Sequence, residues 1–309
     1  MPRTEQPALV PIPSTPARGF YRQVLRALVR HNVPCLVAGT YALECYTGIR
    51  RKTRDLDLFI TRGQWDAAVD ALASEGIPSE LSFPHWLGKA GSPRLFVDLV
   101  WASANGLCRV TEDWFPPAPV ARLHGINVRM CPPEELIWSK AFVMERERFD
   151  GADVVHLIRA RGASLDWDRL LARFGEHWEV LLAHLVLFGF VFPAERDAVP
   201  SALRHRLLAR AGRAGMPPQV GPLCRGTLLS REQYLVDVEE RGDADARLLP
   251  PSLLDPADVA IWTEAIPAAR RATLHPKHRP RGVDDEETSR AQASAGEALS
   301  PAGSGRRDG

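Results

Sequence analysis

Apolar and polar positions follow two alternating patterns over the first 130 residues of the chain. Phe20, Val24, Leu25 and Leu28 recur at the spacing of one helix face, whereas short apolar runs have the length of buried strands. The pattern predicts three helices and four strands. The predicted helices cover 20–31, 40–46 and 64–73, and the predicted strands cover 35–38, 56–60, 95–101 and 126–130.

After Pro132 the pattern is helical throughout. It predicts helices over 133–147, 152–161, 167–174, 178–190 and 202–211. Two later helix starts are indicated by local signals. Ser230 and Gln233 have the spacing of a capping box, and Asp255 stands directly before Pro256, as an N-cap stands before a first-turn proline.

Both ends of the chain have compositions that disfavour a packed structure. The first residues are rich in proline, and the last residues combine small, polar and charged side chains with almost no large apolar ones. The chain is therefore predicted to contain four segments. They are a disordered arm over 1–18, an α/β (α+β) domain with a small mixed sheet over 19–131, a mainly helical domain over 132–270 and a disordered tail over 271–309.

Composition narrows the classes of function. With 39 Lys and Arg against 38 Asp and Glu, the net charge is +1, so attraction to nucleic acid or a membrane has to come from a local patch. The five cysteines show no zinc-site spacing. The N-terminus lacks the apolar run of a signal peptide, and the longest apolar stretch, 180–192, is too short to span a bilayer. We expect a cytoplasmic protein with no membrane partner.

Asp55 and Asp57 form the pattern on which the functional interpretation depends. Alternate side chains of a strand share one face, so the two carboxylates point the same way with α-carbons about 7 Å apart. Asp98 is a third candidate, because it interrupts an otherwise apolar strand where an unpaired charge is costly. Hard oxygen ligands of this kind suit Mg²⁺. The alternative is that the pair is solvated at a strand end and that Asp98 caps a loop.

The sequence around this pair resembles a known signature. Residues 33–43, which read VPCLVAGTYAL, are followed by TRDLDL at 53–58. The order of strand, small-residue turn, short helix and Asp-x-Asp strand is similar to that of the DNA polymerase β-like nucleotidyltransferase superfamily, particularly its uncharacterised bacterial members related to abortive-infection toxins. The resemblance covers about 20–160. The turn departs from it, since Ala38-Gly39-Thr40 replaces Gly-Gly or Gly-Ser.

The resemblance implies a nucleoside triphosphate as substrate and two Mg²⁺ ions, or Mn²⁺, as cofactors. Asp55, Asp57 and Asp98 would be the catalytic and metal-binding residues. Gly39 and Thr40 would approach the triphosphate at a helix N-terminus. Lys140, which lies among apolar residues on its predicted helix, matches the position of a phosphate-binding lysine in the family. The alternative for Lys140 is an amine that extends to water along the protein surface.

A basic run precedes the acidic pair at Arg50, Arg51, Lys52 and Arg54. Arg50 and Arg51 are predicted to reach the triphosphate or an RNA backbone, and the alternative is a solvated loop. His85 and Trp86 lie in a predicted loop, where the indole either stacks on a base or closes the edge of the core.

These observations favour an enzyme that moves a nucleoside monophosphate to an acceptor hydroxyl and releases pyrophosphate. The acceptor stays open between RNA such as tRNA, a protein and a small molecule, and the oligomeric state is also open. The rival interpretation is an inactive protein of the same fold that binds a nucleotide or a partner, motivated by the altered turn at Gly39.

Overall fold

A mixed sheet of seven strands lies at the centre of the computed structural model, which describes residues 15–53, 55–213, 221–252 and 254–266. The strand order is β3-β4-β5-β2-β1-β7-β6. The strands are β1 (Leu36–Val37), β2 (Asp55–Phe59), β3 (Ser79–Phe83), β4 (Leu87–Ser92), β5 (Leu95–Val100), β6 (Val120–Leu123) and β7 (Ile126–Met130). Strand β2 runs parallel to β5 and β1 runs parallel to β7, whereas the other neighbours are antiparallel.

Helices cover the sheet and form most of the later part of the chain. Before residue 131 they are α1 (Thr15–Arg30), α2 (Gly39–Thr47) and α3 (Trp65–Ala73). After it come α4 (Pro133–Ala141), α5 (Gly151–Arg161), α6 (Trp167–Phe174), α7 (Trp178–Val191), α8 (Ser201–Arg213), α9 (Leu235–Glu239) and α10 (Pro256–Glu264). Two short parallel strands, β8 (Leu223–Cys224) and β9 (Ala244–Asp245), pair in this region.

The predicted fold class is confirmed, since a mixed sheet is followed by a mainly helical region. The four predicted strands and the three early helices are all present. Most of their ends lie within one or two residues of the predicted ends, but α1 begins earlier than predicted, at Thr15. Strands β3, β4 and β6 were not predicted. Their sequences, SELSF, LGKAGS and VARL, contain too few large apolar residues at alternating positions to produce a strand signal.

One predicted helix is too long. The helix predicted over 133–147 ends at Ala141, because the backbone of the following segment bonds elsewhere. The amide of Glu145 donates to the carbonyl of Arg148, and that of Asp150 donates to Val143, so that 142–150 forms a tight reversal. We call this segment the α4–α5 loop.

The two later helix starts had different outcomes. Asp255 caps α10 as predicted, because its carboxylate accepts a hydrogen bond from the amide of Asp258 at 2.7 Å. The hydroxyl of Ser230 accepts from the amide of Gln233 at 3.1 Å, but the residues that follow form turns, and α9 begins only at Leu235.

A single hydrophobic core contains residues from both predicted domains, including Leu58 of β2 and Leu157 of α5. The domain boundary near residue 131 stays a prediction. One described stretch, Trp167–Val191, is apolar and long enough by length and composition to cross a membrane. It is divided at Gly175, where φ is +52°, into two helices that are each shorter than the roughly 20 residues a span requires.

Three predictions concern residues that are not described. Most of the arm predicted over 1–18 and all of the tail predicted over 271–309, together with Arg54, lie outside the residues that the structure describes.

Candidate active site

Parallel pairing of β2 with β5 brings the three predicted carboxylates to one place. Asp57 lies directly opposite Asp98 in the register, and Asp55 lies opposite Phe96. Because alternate residues of a strand share a face, Asp55, Asp57 and Asp98 all face the same side of the sheet. All three line one cavity of about 520 Å³. That volume is within the range of small-ligand pockets.

Burial and neighbouring carboxylates raise the pKa of Asp57 and of Asp98. The pKa of Asp57 is raised to about 7, first by burial and then by the charges of Asp55 and Asp98, while Lys140 and Arg148 oppose the rise. Burial also raises the pKa of Asp98. A cation bound beside Asp55 and Asp57 would remove this unfavourable repulsion.

The donor set fits a hard cation held by few protein ligands. Among the described residues, no three His, Cys, Asp or Glu side chains are placed to hold one metal ion together. Mg²⁺ usually takes one or two carboxylates and completes its shell with water and substrate phosphates. Asp55 and Asp57 satisfy that requirement, and the hydroxyl of Thr53 orients Asp55 by donating to its Oδ1 at 2.7 Å.

Asp98 already has a cationic partner, which the sequence did not reveal. The amine of Lys89 lies 2.5 Å from Oδ1 of Asp98, and Lys89 stands directly opposite Asp98 on β4. The amine also lies 4.1 Å from the centroid of the Phe96 ring. Lys89 could have been found only by first predicting β4 and its register with β5.

The turn before α2 adopts the geometry that a close approach to Asp57 requires. Gly39 has φ of +55°, and a β-carbon added there would lie 1.7 Å from Oδ2 of Asp57. Ala38 has φ of −128°, so its methyl group is accommodated without strain. Gly39 and Thr40 both line the cavity, at the helix end whose amide groups have no partners within the helix. The turn therefore accommodates Ala38 in place of a glycine.

Lys140 lines the same cavity but is held in an ion-pair network. It is 9% exposed, and its amine donates to Asp150 at 3.1 Å and to Asp153 at 2.7 Å. Arg148 forms two hydrogen bonds of 2.9 Å with Asp150. The network ties the end of α4 to the start of α5. Asp153 pairs with Arg51 as well as with Lys140.

Neither Arg50 nor Arg51 is among the described residues that line the cavity. Arg50 is exposed and lies 3.3 Å from the buried carboxylate of Glu44. Arg51 pairs with Asp153, and Asp153 also pairs with Lys140, which lines the cavity. The two arginines thus stabilise the surroundings of the site in this structure, and a direct contact with a phosphate stays a prediction.

A second wall of the cavity comes from late in the chain. Residues 227–232, which we call the wall loop, line the cavity together with Trp262 of α10. The wall loop is bonded to the α4–α5 loop: the amide of Met144 donates to the carbonyl of Leu229 at 3.1 Å, and Glu145 accepts from the amide of Arg231 at 3.0 Å and from the Ser230 hydroxyl. In the sequence, the wall loop is marked by the capping signal at Ser230, which does not indicate a place in the site.

Aromatic side chains occupy one part of the cavity lining. Trp86 and Trp262 both line the cavity, and their ring centroids are 5.3 Å apart with planes at 79°. Trp262 is also perpendicular to Phe83 at 4.9 Å. The structure is compatible with both interpretations of Trp86, because its indole packs against the hydrophobic core and also lines the cavity.

Three solved structures are similar to this chain at low sequence identity. An antigenic nucleotidyltransferase-like protein from Paracoccidioides brasiliensis is 16% identical with a TM-score of 0.41, over 64% of this chain and 99% of that one. ANT(2'')-Ia in complex with adenylyl-2''-tobramycin is 17% identical with a TM-score of 0.34, over 64% and 99%. The lincosamide antibiotic adenylyltransferase LnuA, bound to lincomycin, is 16% identical with a TM-score of 0.33, over 46% and 96%.

The family of the chain follows from its sequence. No curated relative matches it. The sequence profile of one family matches residues 17–179, which is just over half of the chain and includes β1, α2, β2 and β5 with all three carboxylates. This family match confirms the predicted relationship to the DNA polymerase β-like nucleotidyltransferases. The chain belongs to the family described as nucleotidyl transferase of unknown function (DUF2204).

Proposed function

We propose that the protein transfers a nucleoside monophosphate from a nucleoside triphosphate to an acceptor hydroxyl, with Asp55 and Asp57 as ligands of Mg²⁺ or Mn²⁺. The observation that carries the proposal is that Asp55, Asp57 and Asp98 converge in one cavity beside the Gly39 turn. In the reaction the acceptor oxygen bonds to the α-phosphorus, and the bond from that phosphorus to pyrophosphate breaks. The hydroxyl proton leaves to a base.

A divalent cation held by Asp55 and Asp57 would neutralise charge on the triphosphate, and a second ion would lie nearer Asp98. The repulsion between these carboxylates supports this assignment, because a cation relieves it. Asp98 is the candidate base for the acceptor proton. Lys89 competes for its oxygen, so the Lys89–Asp98 ion pair has to loosen when the acceptor is bound.

The protein's own groups provide sites for the phosphates. The first turn of α2 presents amide groups and the positive end of its dipole to the cavity, and Gly39 lies on the cavity lining beside the carboxylate of Asp57. Lys140 and Arg148 carry positive charge on the cavity lining near Asp57, as their opposing effects on its pKa indicate. We assign the β- and γ-phosphates to Lys140.

The rival candidate is an inactive protein that binds nucleotide without transferring it. The Lys89–Asp98 ion pair favours this candidate, because it occupies the proposed base. Cation-dependent binding of a triphosphate without release of pyrophosphate would support it.

The test is incubation of the full chain with each α-labelled nucleoside triphosphate, with Mg²⁺ or Mn²⁺, and with separate pools of tRNA, protein and small hydroxyl-bearing antibiotics. The proposal expects label in one pool and release of pyrophosphate. Label in no pool, with triphosphate binding intact, would replace the proposal with the inactive candidate.

Variants tie any label to this site. Asp55→Ala combined with Asp57→Ala should abolish labelling while the protein stays folded by circular dichroism. Asp70→Ala is the matched control, because Asp70 is an exposed carboxylate of α3 away from the cavity lining. If labelling survives the double substitution, the assignment of the carboxylates is wrong.

A further inference from the structure

We infer that Arg231 and Trp262 form a stacking site for a nucleobase, an inference that rests on the proposed function. The base belongs either to the nucleoside triphosphate or to the end of an RNA acceptor. Both residues line the cavity that contains Asp55 and Asp57. Both also lie beyond residue 179, where the match to the family ends.

The guanidinium of Arg231 is placed as one layer of a stack. Its Cζ lies 4.2 Å from the centroid of the Trp262 ring. Arg231 forms no ion pair with the residues described here, whereas Lys140 and Arg148, the other cations lining the cavity, are paired with Asp150 and Asp153. A planar guanidinium that contacts an indole on one face can stack on a second planar ring with its other face.

The surroundings hold this pair in position. Trp262 is packed edge-to-face against Trp86 and Phe83, which fixes the plane of its ring. The backbone of Arg231 is held by Glu145 at 3.0 Å. A platform that is rigid before binding loses little conformational entropy when a base stacks on it.

Nearby polar groups are engaged within the protein, which bears on base selectivity. The side chain of Asn105 accepts from the Ser103 hydroxyl at 2.5 Å and donates to the carbonyl of Leu228 at 2.7 Å. It therefore has little capacity to read the edge of a base. Since stacking tolerates every base, the site should discriminate weakly among the four nucleotides.

The inference is tested by calorimetric titration of the full chain with Mg²⁺ and ATP, in parallel with ribose 5′-triphosphate, which lacks the base. If the base is that of the triphosphate, Trp262→Leu should weaken ATP binding about ten-fold, which corresponds to about 1.4 kcal/mol. It should leave the affinity for ribose 5′-triphosphate unchanged. Trp262→Phe should recover most of the loss, because a ring face remains.

A second arm uses a short single-stranded oligoribonucleotide in place of ATP. A loss confined to ATP assigns the base to the triphosphate, and a loss confined to the oligonucleotide assigns it to an RNA acceptor. Arg231→Gln should reduce binding in the same arm as Trp262→Leu. Arg225→Gln is the control, because Arg225 is exposed and pairs with Glu176 away from the cavity lining.

The inference is overturned if Trp262→Leu changes affinity in neither arm, or weakens ribose 5′-triphosphate as much as ATP. Its failure is distinct from failure of the proposed function. Labelled transfer that persists with unchanged affinity in Trp262→Leu removes the stacking site and leaves the transferase. Trp262-dependent binding without transfer to any pool removes the transferase and leaves the stacking site.

Discussion

At the scale of single residues, the site contains clustered carboxylates, whose repulsion opposes folding, and a glycine that leaves space for one of them. Asp57 is placed beside two other carboxylates, and Gly39 is the residue that leaves room for it. Repulsion of this kind is tolerated where a ligand relieves it, and removing it commonly stabilises the protein at the expense of activity.

Asp57→Asn should therefore raise the melting temperature in the presence of EDTA while abolishing nucleotidyl transfer. The amide keeps the shape of the side chain but removes one of three clustered charges. A gain of about 1 kcal/mol would appear as about 2–4 °C in a domain of this size. Differential scanning calorimetry with and without Mg²⁺ measures it. A melting temperature that falls in EDTA would contradict the assigned repulsion.

Gly39→Ala should remove activity through a steric clash, and Gly48→Ala separates that clash from backbone strain. Both glycines have positive φ, so each substitution should cost about 1–2 kcal/mol in the free energy of unfolding. Only at Gly39 does the new β-carbon meet Asp57, whereas at Gly48 nothing lies within 4 Å. Urea unfolding and label transfer of both variants provide the comparison. Equal activity in the two would refute the role given to the close approach.

At the scale of elements, the joint between α4 and α5 depends on buried charge. Lys140 contacts Asp150 and Asp153, each of which has a second cationic partner in Arg148 or Arg51. Breaking such a network by removing one member leaves uncompensated charges and is costly, even where the network itself contributes little net stability.

Lys140→Met should accordingly destabilise the protein by about 3–5 kcal/mol, measured by urea unfolding. Lys52→Met is the control, because Lys52 is an exposed lysine of the basic run, and it should change stability by less than about 0.5 kcal/mol. Adding Asp153→Asn to Lys140→Met should recover part of the loss. A Lys140→Met protein of normal stability that loses only triphosphate affinity would show that the amine serves the phosphates alone.

The elements also show what the sequence could predict. Asp55, Asp57 and Asp98 were accessible because apolar runs identified β2 and β5, and strand alternation then fixed the shared face. Lys89 was not accessible, because LGKAGS has no clear alternation and the ion pair depends on the register of β4 with β5. The helix over 133–147 was overpredicted, since its apolar spacing continues past Ala141 although the backbone bonds of the α4–α5 loop turn away.

At the scale of the whole molecule, the cavity joins parts of the chain that are distant in sequence. Arg231 and Trp262 could not be assigned to the site from sequence, because their place in the cavity lining depends on tertiary packing. Glu145 contributes two of the hydrogen bonds between the two loops, by accepting from the Ser230 hydroxyl and the Arg231 amide.

Glu145→Ala should loosen the wall loop without unfolding the molecule. Hydrogen exchange of the amides at 227–232 should accelerate, because two of the bonds that hold the loop are lost. The melting temperature should change little. Glu179→Ala, an exposed position at the start of α7, serves as the control. Unchanged exchange in the wall loop would mean that the link through Glu145 is not what holds it.

The late position of the wall loop has a consequence for synthesis on the ribosome. Chains emerge with the N-terminal part first, and domains tend to fold as units in that order. The strands that carry the three carboxylates have all left the ribosome long before Arg231 and Trp262 are translated. A nascent chain therefore displays the acidic cluster before the wall that completes the cavity exists, and the proposed stacking site can form only after Arg231 and Trp262 have been translated.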